Sequence, residues 1–529
     1  MTIQDVLNNT KNFKFWSFIL AIIFCFIYSK ADAQVKYFEY SNLPDLPPNI
    51  GQNVQPGLAG SYTGVDDDVL IVAGGANFPD KLPWEGGVKT YYDEIFILKK
   101  KANDAYQWEI ASTKIPFAAG YGGAISTNNG LLCFGGNTSG SNISYSWFID
   151  YIPETGKVEI RQGPDLPQPL TNFAVAKVDN AIYVAGGISD FGGASTNSFY
   201  KLSLVGDSPK DWKWEMLSSW DGDTRAFSVG VGQSNGLENC FYLFSGRNIN
   251  ANGEWHVLFD AHVFNPTTNK WQVISSEKDQ EFKVMAGTAF PLGASSIIFI
   301  SGSDGNLAMK EEGIKKRIEQ LESQLMKGED IGEMLELAKM ELTHHLNNHP
   351  GFGNEIYGYN TITKEFYKVG EMPQTGQVTT TAVDWGGDFV VPTGEVRPGV
   401  RTPGVLKIRI NKDAKHLGII DMLVIGLYFL ILSWMGYFFS KRQKSTEDYF
   451  KGGGRIPWWA AGLSIFGTAL SAITFMAVPS KTFATDWSYF MHNMTIFLVA
   501  PVIVFWFIPF FRKLNVTTAY EYLESRFNL

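Results

Sequence analysis

The sequence predicts an all-β six-bladed propeller with a small helical insertion, followed by an α-helical transmembrane segment of three helices. Three observations carry this prediction. A short apolar strand running into a small residue and a glycine recurs six times. A charged stretch with helical spacing interrupts the fifth copy. Near residue 412 a Gly- and aromatic-rich chain with polar turns becomes strongly apolar. At 529 residues the chain exceeds one ordinary domain, and these changes divide it.

The N-terminus comes first. Lys11 and Lys14 precede an apolar run over 15–28, and Ala31-Asp32-Ala33 follows. A charged region, an apolar core and a small-x-small site make residues 1–33 a signal peptide, with Gln34 as the first mature residue. An uncleaved anchor is the alternative. The three cysteines do not make a disulfide framework. Cys25 leaves with the leader, while Cys133 and Cys240 are expected as buried thiols, a bridge between them staying open. The net charge of −9 provides no basic footprint, which removes nucleic acid as a partner.

Residues 34–412 hold the repeats. The strong copies are Leu70-Ile71-Val72-Ala73-Gly74-Gly75, Leu131-Leu132-Cys133-Phe134-Gly135-Gly136 and Ile182-Tyr183-Val184-Ala185-Gly186-Gly187. The weaker ones end at Gly246, Gly302 and Gly394. Most copies are followed by a second strand and then one built around an aromatic: Trp108, Trp214, Trp271 or Phe366. The pattern resembles the kelch repeat, and six copies imply six blades, each burying its faces against its neighbours. The sixth copy lacks the aromatic strand. The missing piece sits at the other end, in Lys36-Tyr37-Phe38-Glu39-Tyr40, so the N-terminal strand is expected to complete the last blade.

The insertion covers about 304–350. Ile314, Ile318, Leu321 and Leu325, then Met334, Leu337, Met340 and Leu342, predict two helices over one face of the ring, with a lid as one use. His345 and His349 have the spacing of helical metal ligands, but no acidic partner completes a motif. No metal is expected in the propeller.

The chemistry-bearing stretch ends the sixth copy: Gly394-Glu395-Val396-Arg397-Pro398-Gly399-Val400-Arg401. A carboxylate six residues from an arginine, at the mouth of a β-domain, suits an acidic sugar. The guanidinium clamps a carboxylate with paired hydrogen bonds, and the glutamate moves a proton. This stretch resembles a signature of N-acetylneuraminate epimerases, kelch propellers of the cyclically permuted mutarotase family. Ala73-Gly74-Gly75-Ala76-Asn77-Phe78-Pro79 and the helical insertion are similar too, with the blade order rotated. The resemblance implies that Glu395 and Arg401 are catalytic and that no cofactor is needed. Arg247, Asn77 and Asn137 stand at corresponding loop positions of other blades and are candidate substrate contacts, with Arg397 beside them. A structural asparagine turn and a surface charge are the alternatives.

Beyond residue 416 the solvent changes. Residues 417–439, 457–480 and 489–511 are each apolar and long enough to span a bilayer. The clusters around Lys441-Arg442 and Arg512-Lys513 place the propeller outside by the positive-inside rule, which means the periplasm and inner membrane of a bacterium. The stretch from Asp448 through Trp458-Trp459 to Ser464, and Thr518–Phe527 with it, resembles the start of sodium/solute symporters. That resemblance implies Na+ at the carbonyls of Gly467 and Leu470, and substrate at Thr468, Ser471 and Thr474. Such carriers need two inverted repeats, so the remaining helices must come from elsewhere, as expected of a fragment of an epimerase–symporter fusion.

Together these readings predict a sialic acid mutarotase joined to a sodium:sialic acid symporter module. The alternative is a non-catalytic propeller that binds the sugar and presents it. A kelch copper oxidase would want Tyr, His and Cys ligands in a cluster, and neither Cys133 nor Cys240 sits in one.

Overall fold

The computed structural model describes residues 38–527, apart from 102–104, 207, 276–283, 304, 412–418, 442–447, 449–451, 453–455, 470–471, 485–486, 515 and 517–518. The expected signal peptide therefore lies outside the described residues, as do Leu470 and Ser471.

Six four-stranded antiparallel sheets form the soluble part. Blade one comprises Tyr62–Asp66, Val69–Ala73, Ile95–Lys100 and Tyr106–Ile110. Its second strand is the repeat strand, buried along its whole length because it packs on both faces. Blades two to five repeat this order, ending at Gln162, Met216, Ser275 and Glu371. In the sixth, Val383–Trp385, Asp388–Pro392 and Val405–Ile410 are joined by Phe38–Leu43, whose partner is Val405–Ile410 from Phe38–Ile410 to Leu43–Val405. The N-terminal strand thus completes the last blade. An apolar cluster fills each gap between neighbouring blades. The one between last and first sets Leu43, Val390 and Val405 against Leu70 and Leu98. Cys133 and Cys240 are buried free thiols within two of these clusters, and burial pushes both upward in pKa.

The aromatic outer strands have a further use. Trp108, Trp214 and Trp271 each donate their indole N–H to a backbone carbonyl, of Pro44, Pro164 and Ser218, in the connection from the preceding blade.

A second closure runs around the central channel. Where each blade begins, one residue has a positive φ: Gly60, Tyr121, Asn172, Phe227, Ala286 and Thr379. The N–H of Gly60 donates to Thr379 O, Tyr121 to Gly60, Asn172 to Tyr121, Phe227 to Asn172, Ala286 to Phe227 and Thr379 to Ala286, all at 2.7–2.9 Å. These six bonds form an uninterrupted circle, one per blade.

The insertion consists of the helices Asn306–Met326 and Gly332–Asn347. Ile314 and Leu321 of the first are buried as the spacing predicts. The second turns its expected stripe outward. Met334, Leu337 and Met340 are exposed, whereas Leu335 and Ala338 pack on Leu321. Both stripes have helical period, and the fit of Leu335 and Ala338 against the first helix chooses between them.

Two C-terminal segments are long and apolar enough to cross a membrane, Met422–Ser440 and Ile496–Leu514. Of the expected middle span over 457–480, the helical stretches Trp458–Ala469 and Ala472–Ala484 are described, with 470–471 outside the described residues. Within the first of these the Thr468 hydroxyl donates to the carbonyl of Ser464 at 2.8 Å.

Candidate active site

The residue after each glycine step lies at one mouth of the channel. These are Ala76, Asn137, Ile188, Arg247, Ser303 and Glu395, and each bridges the residue just before a member of the hydrogen-bonded circle. The six positions are equivalent by backbone pairing. The arrangement corrects one expectation. Ala76, and not Asn77, corresponds to Asn137. One step along a strand turns a side chain to the other face. Asn77 is accordingly fully buried, donating to Gly57 O at 2.9 Å and accepting from Tyr92 at 2.8 Å, so its amide serves the fold. Asn137 stays at the mouth, with its Oδ1 buried and unpartnered.

Small hairpins extend the mouth from blades one, four and six. They pair Ala76–Asn77 with Thr90–Tyr91, Arg247–Ile249 with Trp255–Val257, and Glu395–Arg397 with Val400–Arg401. In the last, Glu395 stands directly across from Arg401. The turn depends on Pro398-Gly399, with Gly399 at φ +76°, and a Cβ there would strike Pro83 and Trp84 at 2.9 Å.

The pair is held in place as an ion pair, with hydrogen-bonding capacity left unmade. Glu395 Oε1 accepts from the Gly399 N–H at 2.6 Å and lies 3.7 Å from Arg401 Nη1. Its Oε2 has no hydrogen-bond partner among the described residues. The Arg401 side chain is only 5% exposed, and its Nε and Nη1 are buried without partners. Its guanidinium lies 4.6 Å over the ring of Phe78. A buried guanidinium with unmade hydrogen bonds is costly unless a ligand completes them.

Arg247 shares this environment. It stacks on Phe227 at 4.1 Å, and burial pulls it down to about 10, against the charges of Glu312 and Glu311 on the first insertion helix. Arg247, Glu395, Phe352 and those two glutamates line one cavity of about 270 Å³, with Ala308 and Lys315 as further parts of a helical roof. Arg397 points elsewhere, donating to the carbonyl of Asn347 at 2.9 Å. It anchors the end of the second helix to the hairpin, where a cation also suits the helix dipole. His345 and His349 lie with ring centres 6.1 Å apart, and no metal-binding cluster of three occurs among the described residues.

Lys89, Tyr121 and the two roof glutamates were not singled out from sequence. Lys89 could have been found by comparing the hairpins, since blade one has one like that of blade six. Burial pushes the Tyr121 hydroxyl up to about 12, with Arg401 beside it acting the other way. In the membrane part, Gly467 and Thr468 lie on Trp458–Ala469 and Thr474 on Ala472–Ala484.

Comparison with known proteins agrees with this division. The profile of the N-acetylneuraminate epimerase family matches residues 28–149 and 163–423, and that of the sodium:solute symporter family matches 449–529. The N-acetylneuraminate epimerase of Pasteurella multocida is 26% identical over 49% of this chain and 62% of its own length. The sodium/sialic acid symporter SiaT of Proteus mirabilis is 47% identical over 21% of the chain, and NanT of Aliivibrio fischeri 44% over 22%. The chain spans 23% of each symporter's length. The chain therefore belongs to the N-acetylneuraminate epimerase family and carries, after its propeller, a fragment of a sodium:solute symporter.

Proposed function

We propose that the propeller interconverts the anomers of N-acetylneuraminate, or of a closely related acidic sugar, in the periplasm. It would supply a sodium-coupled sialic acid carrier in the inner membrane, part of which corresponds to residues 449–529 of this chain. The observation that carries this reading is Arg401, buried beside Glu395 with two unmade hydrogen bonds. A sugar carboxylate completes them. Relatives named as epimerases and as sodium/sialic acid symporters support the choice of sugar.

The chemistry follows from the pair. Glu395 Oε2 takes the proton of the anomeric hydroxyl. The bond from the anomeric carbon to the ring oxygen breaks, the electron pair stays on that oxygen, and a proton returns to it. Rotation of the open-chain ketone and closure on its other face complete the exchange. Arg401 holds the carboxylate so that the anomeric carbon stays beside Glu395, and Arg247 reaches the same cavity. One positioned acid–base group contributes roughly a hundred- to ten-thousand-fold. That suffices for a reaction that already proceeds in water. Sodium enters only as the ion driving the carrier, through a site of which Gly467 and Leu470 would be part.

The test uses the chain in detergent and follows anomer exchange by NMR. The wild type accelerates exchange, and Glu395→Gln loses about a hundred-fold or more of that acceleration while still binding the sugar. Binding without acceleration in the wild type would instead make the propeller a presenting module.

A further inference from the structure

Blade one has alanine at its mouth position, yet it sends a cation to the site by another route. Lys89 immediately precedes Thr90–Tyr91, the strand that pairs with Ala76–Asn77. Its Nζ lies 4.0 Å from the ring centre of Tyr121 and 5.1 Å from that of Tyr91, and the two rings meet edge to face at 6.4 Å. No carboxylate among the described residues lies within ion-pair distance of it. Arg401 and Glu395 are near enough for both charges to act on it, and burial lowers its pKa. Arg401 from blade six rests on Phe78 of blade one, while Lys89 of blade one rests on Tyr121 of blade two. Two neighbouring cations thus each rest on an aromatic ring, and of the two only Arg401 has a carboxylate, that of Glu395 at 3.7 Å, within ion-pair reach. Aromatic faces hold a cation in place without neutralising it.

We infer that Lys89 is a specificity-determining residue that leaves the face of Tyr121 to grip the carboxylate of an acidic sugar together with Arg401. This rests on the function proposed above and extends it to the choice of an anionic over a neutral sugar. The four-carbon stem of lysine allows the swing, whereas the planar guanidinium of Arg401 is fixed by its stacking.

The experiment titrates N-acetylneuraminate and its uncharged methyl ester into the whole chain in detergent, by calorimetry, and measures anomer exchange by NMR. Wild type, Lys89→Met and Lys89→Arg are compared, with thermal melting as the check on folding. Lys89→Met weakens binding of the acid about ten- to a hundred-fold, raises KM with little change in kcat, and leaves the ester unaffected. Lys89→Arg restores most of the loss. Equal affinity of wild type and Lys89→Met for the acid overturns the inference alone. So does a fall in kcat at constant KM that arginine does not rescue, since Lys89 would then be moving a proton. A wild type that neither binds nor exchanges the sugar removes the proposed function, and the inference with it.

Discussion

The Arg401 guanidinium is the residue on which the proposed recognition rests, because it is buried, stacked and short of partners. Arg401→Lys keeps the charge and loses the planar fork. It should weaken sugar binding by about ten-fold or more, measured by calorimetry, with the fold intact. A second buried arginine is paired directly with an acid. Arg225 is 0% exposed and grips Asp260 with two bonds of 3.0 and 2.7 Å, and His262 reaches the same carboxylate at 2.6 Å. Burial alone would raise Asp260, but the hydrogen bonds from His262 and Arg225 outweigh it and hold the carboxyl well below its usual range. A depressed carboxylate contributes stability that is present above its unfolded value, near ~4, and is lost as pH falls through the folded one. Asp260→Asn should therefore cost roughly 3–5 kcal/mol at neutral pH, by leaving a buried charge alone. It should also flatten the acid side of a melting-temperature profile. At this scale Glu395 and Arg401 were legible because both lie in one short segment. Lys89 and Tyr121 were not, since only the pairing of Thr90 with Asn77 and the packing of blade one on blade two bring them to the site.

Among the elements, the repeat strands were the easiest to read, each being a continuous apolar run ending in glycine. The error at Asn77 shows the limit of that reading. Gly74-Gly75 fixes where the strand ends, but which side chain faces the channel depends on a bridge between Ala59 and Ala76 that leaves no local mark. The second insertion helix teaches the same lesson, with Met334, Leu337 and Met340 as good a stripe as the buried one. The apolar contact between the two insertion helices is centred on Leu321, Leu335 and Ala338, with the ion pairs Arg317–Glu341 and Lys339–Glu322 beside it. Leu321→Ala should cost about 2–5 kcal/mol of local stability. Hydrogen exchange should then speed up across residues 306–347 while the blade strands keep their protection. Since Ala308, Glu311 and Glu312 roof the cavity, KM for the sugar should rise with it. Unchanged exchange in this segment would mean that the helices are held by the propeller rather than by each other.

For the whole molecule, closure of the ring was legible because the sixth repeat lacked a strand and the N-terminus had one to spare. The circle of hydrogen bonds from Gly60 to Thr379 was not, because five of its six members are ordinary residues at positive φ. Removing residues 38–43 should expose both the edge of Val405–Ile410 and the apolar gap around Leu70. Loss of a single cooperative melt, with aggregation on gel filtration, is the expected result. The direction of Val405–Ile410 has a further consequence. Val405 pairs with Pro392 beside the mouth, and Arg409 pairs with Asp388 at the other end. The chain therefore leaves the propeller about 17 Å away from its active face. Only eight residues separate Ile410 from the helix beginning at Ile419, a leash of at most about 29 Å. Were the helix anchored in a bilayer as proposed, a leash of that length would keep the far face near the lipid and leave the mouth open to incoming sugar. Under the proposed function the product would emerge on the side away from the membrane, so a carrier on the same chain would gain from raised effective concentration rather than from direct hand-over.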